Sequence, residues 1–327
     1  MGLHPAIAAV RGGVRGVLAP LAPGGVALVA CSGGADSLAL LSAAVFEGHK
    51  AGLRVIGATV DHGLQEGSAE HAAHVVAQMA ALGADETASA RVQVDPAGLG
   101  VEAAARRARY AVLEQLREHF GADAVLLGHT RDDQAETVLL GLARGSGGRS
   151  IAGMRRAFDR YYARPLLDVA RADTVAACLA EGIEFWDDPH NSDPGYARVR
   201  VRQRVLPVLE DELGPGIAAT LARTADQVRA DVEALDALAD AAYAGLARPE
   251  GLPLAGLDDL LPAIATRVLR RAALDAGARD AELFHVHVSA LHRLAQGAIS
   301  GEVQLPGHLT AYRDRAHLRF RPTAVAG

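Results

Sequence analysis

The sequence predicts an α/β fold: an open parallel sheet with helices on both faces, joined to a smaller and mainly helical domain. Three observations carry this reading. Short apolar runs alternate with amphipathic stretches through the first half of the chain, the pattern of strands buried between layers of helix. A pair of adjacent glycines links the first apolar run to a helix. Beyond Gly214-Pro215-Gly216 the pattern turns to helical periodicity alone.

Taken in order, Val26 to Ala30 is the first buried strand, Ser32 to Ser37 a turn, and Leu38 to Gly48 a helix stopped by glycine. Arg54 to Val60 is a second strand, Ser68 to Leu82 a helix and Arg91 to Val94 a short strand. Val101 to Phe120 is strongly amphipathic, Ala124 to Leu127 another buried strand, and Asp132 to Ala143 a helix. Crossovers between such strands are right-handed. Gly145 to Ser150, reading GSGGRS, is expected to be a loop. A strand near Tyr162 to Arg164 and helices over Asp173 to Glu181 and Val199 to Leu213 follow. Next, Leu221, Ala225, Val228, Val232, Leu235, Ala239 and Ala242 recur at spacings of four and three. They form one stripe on a long helix, read as packing within a helical domain, with a homodimer seam as the alternative. Helices near Leu257 to Ala276 and Ala281 to Gln296 lead to a tail with β character around Gly307 and Arg313.

A chain of 327 residues, half of them apolar, divides into two domains at about 100–200 residues each. The boundary is expected at 214/215. Net charge is −6, from 33 basic and 39 acidic residues, so any nucleic-acid site must be a local patch. The only lysine is Lys50, and the only cysteines are Cys31 and Cys178. That excludes a disulfide scaffold and a four-cysteine zinc site, and fits a reducing cytoplasm. Val17 to Ala35 carries no charge, but Pro20, Pro23, Gly24 and Gly25 interrupt it. It is too broken for a membrane span or a signal peptide.

The most informative segment is Val26 to Leu40, VALVACSGGADSLAL. A strand, a two-glycine turn and a helix start aim several N–H groups at one point, where the helix dipole also favours an anion. Ser32 and Ser37 add hydroxyls, and Gly33, Gly34 and Ala35 keep the turn open. This is a phosphate cradle without the lysine of a Walker A loop and without the GxGxxG of a dinucleotide fold. Such a cradle suits a leaving pyrophosphate. Asp36 inside it is either a Mg²⁺ ligand or an acid favoured by the dipole. SGGADS in this setting resembles the PP-loop of the ATP pyrophosphatases.

Further segments narrow the resemblance: VDHGL at 60–64, EAAARRARY at 102–110, LLGHTRDDQAETVLL at 126–140, RGSG at 144–147, RPLL at 164–167, WDDPHNSD at 186–193 and RVRVRQRVLP at 198–207. In this order they resemble the tRNA(Ile)-lysidine synthetases, closely over about residues 25 to 210. Val199 and Gln65 depart from that pattern, which usually has Asn and Arg there. The resemblance implies ligation of free L-lysine to C2 of the wobble cytidine in the isoleucine tRNA with a CAU anticodon. ATP first adenylates the cytosine O2 and releases pyrophosphate, and lysine then displaces AMP.

From spacing alone, Asp133 and Glu136 share one face of a helix and read equally as a capping box. The resemblance makes them the acids that bind lysine, with Asp133 able to take the proton of the attacking amine. Asp132 is a capping or metal-proximal acid. His62, Gly128 and His129 close buried strands at the ligand edge of the sheet and are assigned to ATP. The resemblance places Arg109 on the ATP side, supported by Glu102. Arg198 and Arg202 match its RNxxR element and are assigned to phosphate or tRNA, with Arg202 counted beside Asp36 and Asp133 as catalytic. In the tail, Arg313, Arg315, Arg319 and Arg321 stand against one acid, Asp314. Arg313 and Arg315 are the candidate contacts to an RNA backbone, against a plain solvated surface. His285, His287 and His292 lack partner acids and are read as structural.

Two rivals remain open at this stage. One is a tRNA thiolase of the same superfamily, which would need cysteines to carry sulfur. The other is a nucleotide-sensing module without chemistry. A Cys31→Ala/Cys178→Ala double variant is expected to keep its activity. Loss of turnover in a folded double variant would favour sulfur transfer.

Overall fold

The computed structural model describes residues 2–61, 63, 67–92, 101–145, 147–188 and 192–323, with backbone alone at 101–103. The chain divides into two compact units, Met1–Leu140 with Gly153–Arg223, and Gly141–Ala152 with Thr224–Gly327.

The first unit opens with a helix that the apolar runs did not announce, α1 (Pro5–Leu18). Its Ile7, Val10, Val14 and Leu18 fall on one face and are buried. The parallel strands and their crossovers follow: β1 (Val26–Ala30), α2 (Ala35–Lys50), β2 (Arg54–Asp61), α3 (Ser68–Ala81), β3 (Glu86–Arg91), α4 (Val101–Phe120), β4 (Ala124–Leu127) and α5 (Arg131–Arg144). β3 lies earlier in the chain than the expected Arg91 to Val94. It is an edge strand paired only with β2, and its residues Glu86 to Arg91 carry no apolar run to reveal it. The GSGGRS segment is not wholly a loop. Gly145 and Gly147 take positive φ of 63° and 81° and lead into one helical turn, α6 (Gly148–Ile151). A short hairpin, β5 (Ala157–Phe158) and β6 (Tyr162–Ala163), precedes α7 (Arg171–Glu181). α8 (Ala197–Arg200) and α9 (Leu206–Leu213) are joined by a π-turn over Val201–Val205.

The strand order is β3-β2-β1-β4-β6-β5, parallel except for β5. Alternate residues of β1 face opposite layers. Ala27 and Val29 pack with α1 and α2, while Val26 and Leu28 pack with Leu113 of α4. The chain first moves outward from β1 and then returns to its other side at β4. The switch point lies between their carboxyl ends, where open α/β sheets bind ligands.

The second unit holds most of the stripe helix α10 (Ile217–Leu246), then β7 (Leu252–Pro253), α11 (Leu254–Asp258), α12 (Pro262–Asp275) and α13 (His285–Ala295). Leu235, Ala239 and Ala242 of α10 pack into this unit's core around Val268, Leu269 and Leu291. The expected single helix from Leu257 splits at Pro262, which starts α12 because it has no N–H for a preceding turn. The tail is strand as expected. β8 (Glu302–Leu305), β9 (Leu309–Asp314) and β10 (His317–Pro322) form an antiparallel sheet in the order β7-β10-β9-β8.

Gly13 of α1 tests this packing. A Cβ there would lie 2.4 Å from the carbonyl oxygen of Pro165. In an exposed helix Gly→Ala gains up to about 1 kcal/mol. Here Gly13→Ala is expected to lower Tm, and a raised Tm would show that α1 does not seat against Pro165.

Candidate active site

The cradle forms where β1 runs out. Gly33 has φ +86°, and a Cβ on it would meet Val75 Cγ2 at 2.7 Å and His71 Cε1 at 3.0 Å, so backbone and packing both require glycine. Gly34 is different. Its φ is −81°, open to any residue, and the nearest atoms to an added Cβ are an ordinary 3.7 Å away. Neither backbone nor packing demands glycine there, so a Cβ at Gly34 would only fill space on the open side of the turn. The Ser37 hydroxyl accepts from the Ser32 N–H at 3.1 Å and donates to the Gly34 carbonyl at 2.9 Å, bracing the turn. Ala35 opens α2, so its free N–H groups face the cradle. Behind it, Gly128 brings β4 so close that a Cβ would lie 3.2 Å from the carbonyl oxygen of Asp36.

A distant segment completes the turn. The Trp186 N–H donates to the Gly33 carbonyl at 2.9 Å, and its ring sits 4.0 Å from that of His71. His71 in turn reaches the Ser32 carbonyl at 3.1 Å. Trp186 opens the WDDPHNSD segment that carries the resemblance, but neither its place on this turn nor His71 could be read from the sequence.

Next to the cradle four carboxylates and three guanidiniums meet. Arg171, at the start of α7, donates from Nη2 to Asp133 at 2.7 Å, from Nε to Asp36 at 3.2 Å and from Nη1 to Glu136 at 3.4 Å. Its backbone N–H donates to Asp132 at 2.8 Å, so Asp132 caps α7 and not its own helix. Asp133 accepts from the N–H and hydroxyl of Thr130 at 2.8 and 3.0 Å. Half of the expected capping box therefore exists, but with Thr130 as its partner; Glu136 points elsewhere. Arg202 donates to Glu136 through Nε at 2.7 Å and Nη2 at 3.1 Å, and Arg198 lies 3.8 Å from both Asp133 and Glu136. Arg198 also bonds the Thr137 hydroxyl at 3.1 Å. Glu136 is 0% exposed, which only such pairing allows.

Electrostatics separates the two aspartates. Burial raises the pKa of Asp36, and Arg171 and the Thr174 hydroxyl only partly offset it. Burial would also raise Asp133, but Arg171, the Thr130 N–H, His129 and Arg198 together hold it below the usual carboxylate range. Burial would lower Arg171, yet Asp133, Asp36, Glu136 and Asp132 hold it firmly protonated.

On the nucleotide side, burial pushes His129 down to about 3, with Arg164, Arg109 and Arg106 adding to the effect against Asp133. Its imidazole is neutral at physiological pH. Among the described residues, His129 Nδ1 and Arg109 Nε are buried without a hydrogen-bond partner. Both belong to the residues assigned to ATP, and a bound ligand would satisfy them. His62 lies outside the described residues, as do Gln65 and the side chain of Glu102. Val199 is buried at 6% exposure, where an apolar side chain is at home.

Both cysteines pack under the cradle. The Cys178 thiol donates to the Ala35 carbonyl at 3.4 Å, and Cys31 lies 3.8 Å from the Ser37 carbonyl. Cys178 of α7, far from the cradle in the chain, is thus next to it in the fold. Burial raises both thiols to about 12, so neither is a ready thiolate. Arg313 and Arg315 belong to the second unit. Both are exposed, Arg315 in the tight turn between β9 and β10 with φ +53°.

A family model described as a PP-loop domain matches residues 16–209. The chain is 54% identical to the tRNA(Ile)-lysidine synthase of Thermobifida fusca, over 97% of each chain. It is 47% identical to that of Streptomyces coelicolor, over 98% of this chain and 99% of the relative, and 49% identical to that of Salinispora arenicola, over 97% and 96%. Among solved structures, the U34-tRNA thiolase NcsA from Methanococcus maripaludis, with its 4Fe-4S cluster, aligns with a TM-score of 0.57 over 68% of this chain and 79% of that one. At 15% identity this is a likeness of fold.

Two substitutions separate structure from binding at the cradle. Gly33→Ala is expected to lower both Tm and ATP affinity, whereas Gly34→Ala keeps Tm and weakens ATP alone, read by calorimetry and nucleotide titration. His129 gives a pH signature. Its pKa is lowered on folding, so between about 6.5 and about 3 the unfolded chain binds more protons and stability falls as pH falls. His129→Gln is expected to flatten this slope by nearly one proton in denaturant melts. An unchanged slope would mean that His129 titrates alike in both states.

Proposed function

This chain belongs to the tRNA(Ile)-lysidine synthase family, and from that premise we propose how its own residues divide the work. The chain binds ATP through its PP-loop domain and forms lysidine on tRNA(Ile). In our reading Ser32, Gly33, Gly34, Ala35 and Ser37 hold the pyrophosphate end of ATP against the start of α2. His129, Arg109 and Gly128 line the rest of the nucleotide, and His62, outside the described residues, is assigned to it from the resemblance alone. The cytosine O2 of the wobble position attacks the α-phosphorus and pyrophosphate leaves. The lysine ε-amine then attacks C2 and AMP leaves.

The observation that carries this assignment is the acid cluster already filled with cations. Asp133 and Glu136 hold guanidinium nitrogens at hydrogen-bond distance, and a lysine ammonium presents the same charge with N–H donors of its own. Asp133 stays ionised at neutral pH. As a weak base it holds the ammonium, and it takes a proton as the C–N bond forms and the amine becomes acidic. Arg202 and Arg198 stand ready to meet phosphate charge once the acids turn to lysine.

Magnesium fits the site through Asp36. The ion takes one or two carboxylates and completes its shell with phosphate oxygens and water. Asp36 is a carboxylate beside the cradle, and no group of three His, Cys, Asp or Glu that could hold a metal occurs among the described residues. Asp36 would therefore hold an ion that enters with the nucleotide. When bound, it would neutralise charge on the leaving pyrophosphate.

Residues 215–327, read from the sequence as the second domain, are proposed to bind tRNA, with the exposed Arg313 and Arg315 against the RNA backbone. Among the described residues no helix is long and apolar enough to cross a membrane, and we assign the reaction to the cytoplasm.

Incubation with ATP, lysine and the cognate tRNA is expected to yield AMP and pyrophosphate in a lysine-dependent product-forming reaction. ADP and orthophosphate would overturn the mechanism. Asp133→Asn is expected to lower lysine incorporation at least a hundredfold, with adenylation of the tRNA still detectable. Equal loss of both steps would place Asp133 in the first.

A further inference from the structure

A cavity of about 750 Å³ opens in the first unit, lined by none of the cradle residues Ser32 to Ser37. Its walls come from α4 and the β5–β6 hairpin and carry Arg106, Arg155, Arg164, Tyr110, Phe158 and Tyr161. Nothing in the chemistry described so far uses it. The register places it along the same sheet edge as the nucleotide residues. Leu126 of β4 pairs with Ala163 of β6, so Arg164 stands level with Leu127, next to Gly128 and His129.

The lining is cationic and aromatic. Arg164 is 6% exposed, lies 4.3 Å over the Phe158 ring and bonds the Tyr110 hydroxyl at 3.4 Å. Arg106 sits 5.2 Å from the Tyr110 ring. The acid at the rear, Glu114, is taken by Arg117 at 2.8 Å and by the Tyr162 hydroxyl at 3.0 Å. The remaining acid, Asp159, sits in the hairpin turn, where it and Arg160 adopt φ of 49° and 67°. A turn of this hand favours Asn-Gly; here two larger charged residues hold it at the rim of the cavity. Apolar ring faces, guanidinium planes and a surplus of positive charge are the combination that seats an unstacked base with its phosphate.

We propose that this cavity binds a splayed nucleotide of the anticodon loop adjoining the modified cytidine, by stacking against Tyr110 or Tyr161 and pairing its phosphate with Arg106 and Arg155. The proposal rests on the reading that RNA enters at this sheet edge. It gives the enzyme a grip on the loop that is separate from the reacting base.

The test uses the full chain and the anticodon stem–loop carrying CAU. Binding is followed by fluorescence anisotropy, without turnover, so it is independent of whether lysidine forms. Arg106→Ala/Arg155→Ala and Tyr161→Ala are each expected to weaken stem–loop binding roughly tenfold, with unchanged Tm and unchanged KM for ATP and lysine. A 2-aminopurine placed beside the cytidine should be quenched by the wild type and less so by Tyr161→Ala. Unchanged RNA affinity in both variants would overturn the proposal. So would a raised KM for ATP with RNA binding intact, which would give the cavity to the adenine of the nucleotide.

Discussion

The arrangement of the site depends on one guanidinium. Arg171 bridges Asp36, Asp133 and Glu136, while its own N–H is capped by Asp132. Four acids gathered at a sheet edge would repel one another and resist burial. Arg171 stands between them, with Arg198 and Arg202 also within reach of Asp133 and Glu136, so each buried carboxyl has a guanidinium partner. Removing one member of such a group typically costs about 3–5 kcal/mol, because the partner is left buried with its charge. The same arithmetic governs the chemistry. Under the proposed function, a positive ligand would enter this cluster by exchange with a positive residue, which keeps a counter-charge on the acids.

Much of this was legible in the sequence, and the gaps have physical causes. The cradle could be read because its chemistry is local: Ser32 to Ser37 carry every element of the turn. The buried strands β1, β2 and β4 could be read because both faces are covered and the runs are continuous. β3 was misplaced because an edge strand with one neighbour needs no such run. α1 escaped because its stripe of Ile7, Val10, Val14 and Leu18 is interleaved with glycines. Arg171 lies 135 residues from Asp36 in the chain, and no spacing rule spans that distance. One local signal did exist. A basic residue at the first position of a helix sits against the positive end of the dipole, and such a residue needs anionic partners in space.

The assignments of Arg198 and Arg202 gain meaning from the same cluster. Read as phosphate contacts, they are found on carboxylates. Both roles call for a fixed fork of donors, which arginine supplies and lysine does not. That agrees with a chain whose positive charge is almost wholly arginine.

The contact between Trp186 and Gly33 has a consequence in time. The two-glycine turn lies near the start of the chain, yet its outer wall arrives with a residue more than 150 positions later. Closing so long a loop is slow relative to forming local helices. A nascent chain leaving the ribosome therefore carries an unfinished turn at least until Trp186 has emerged.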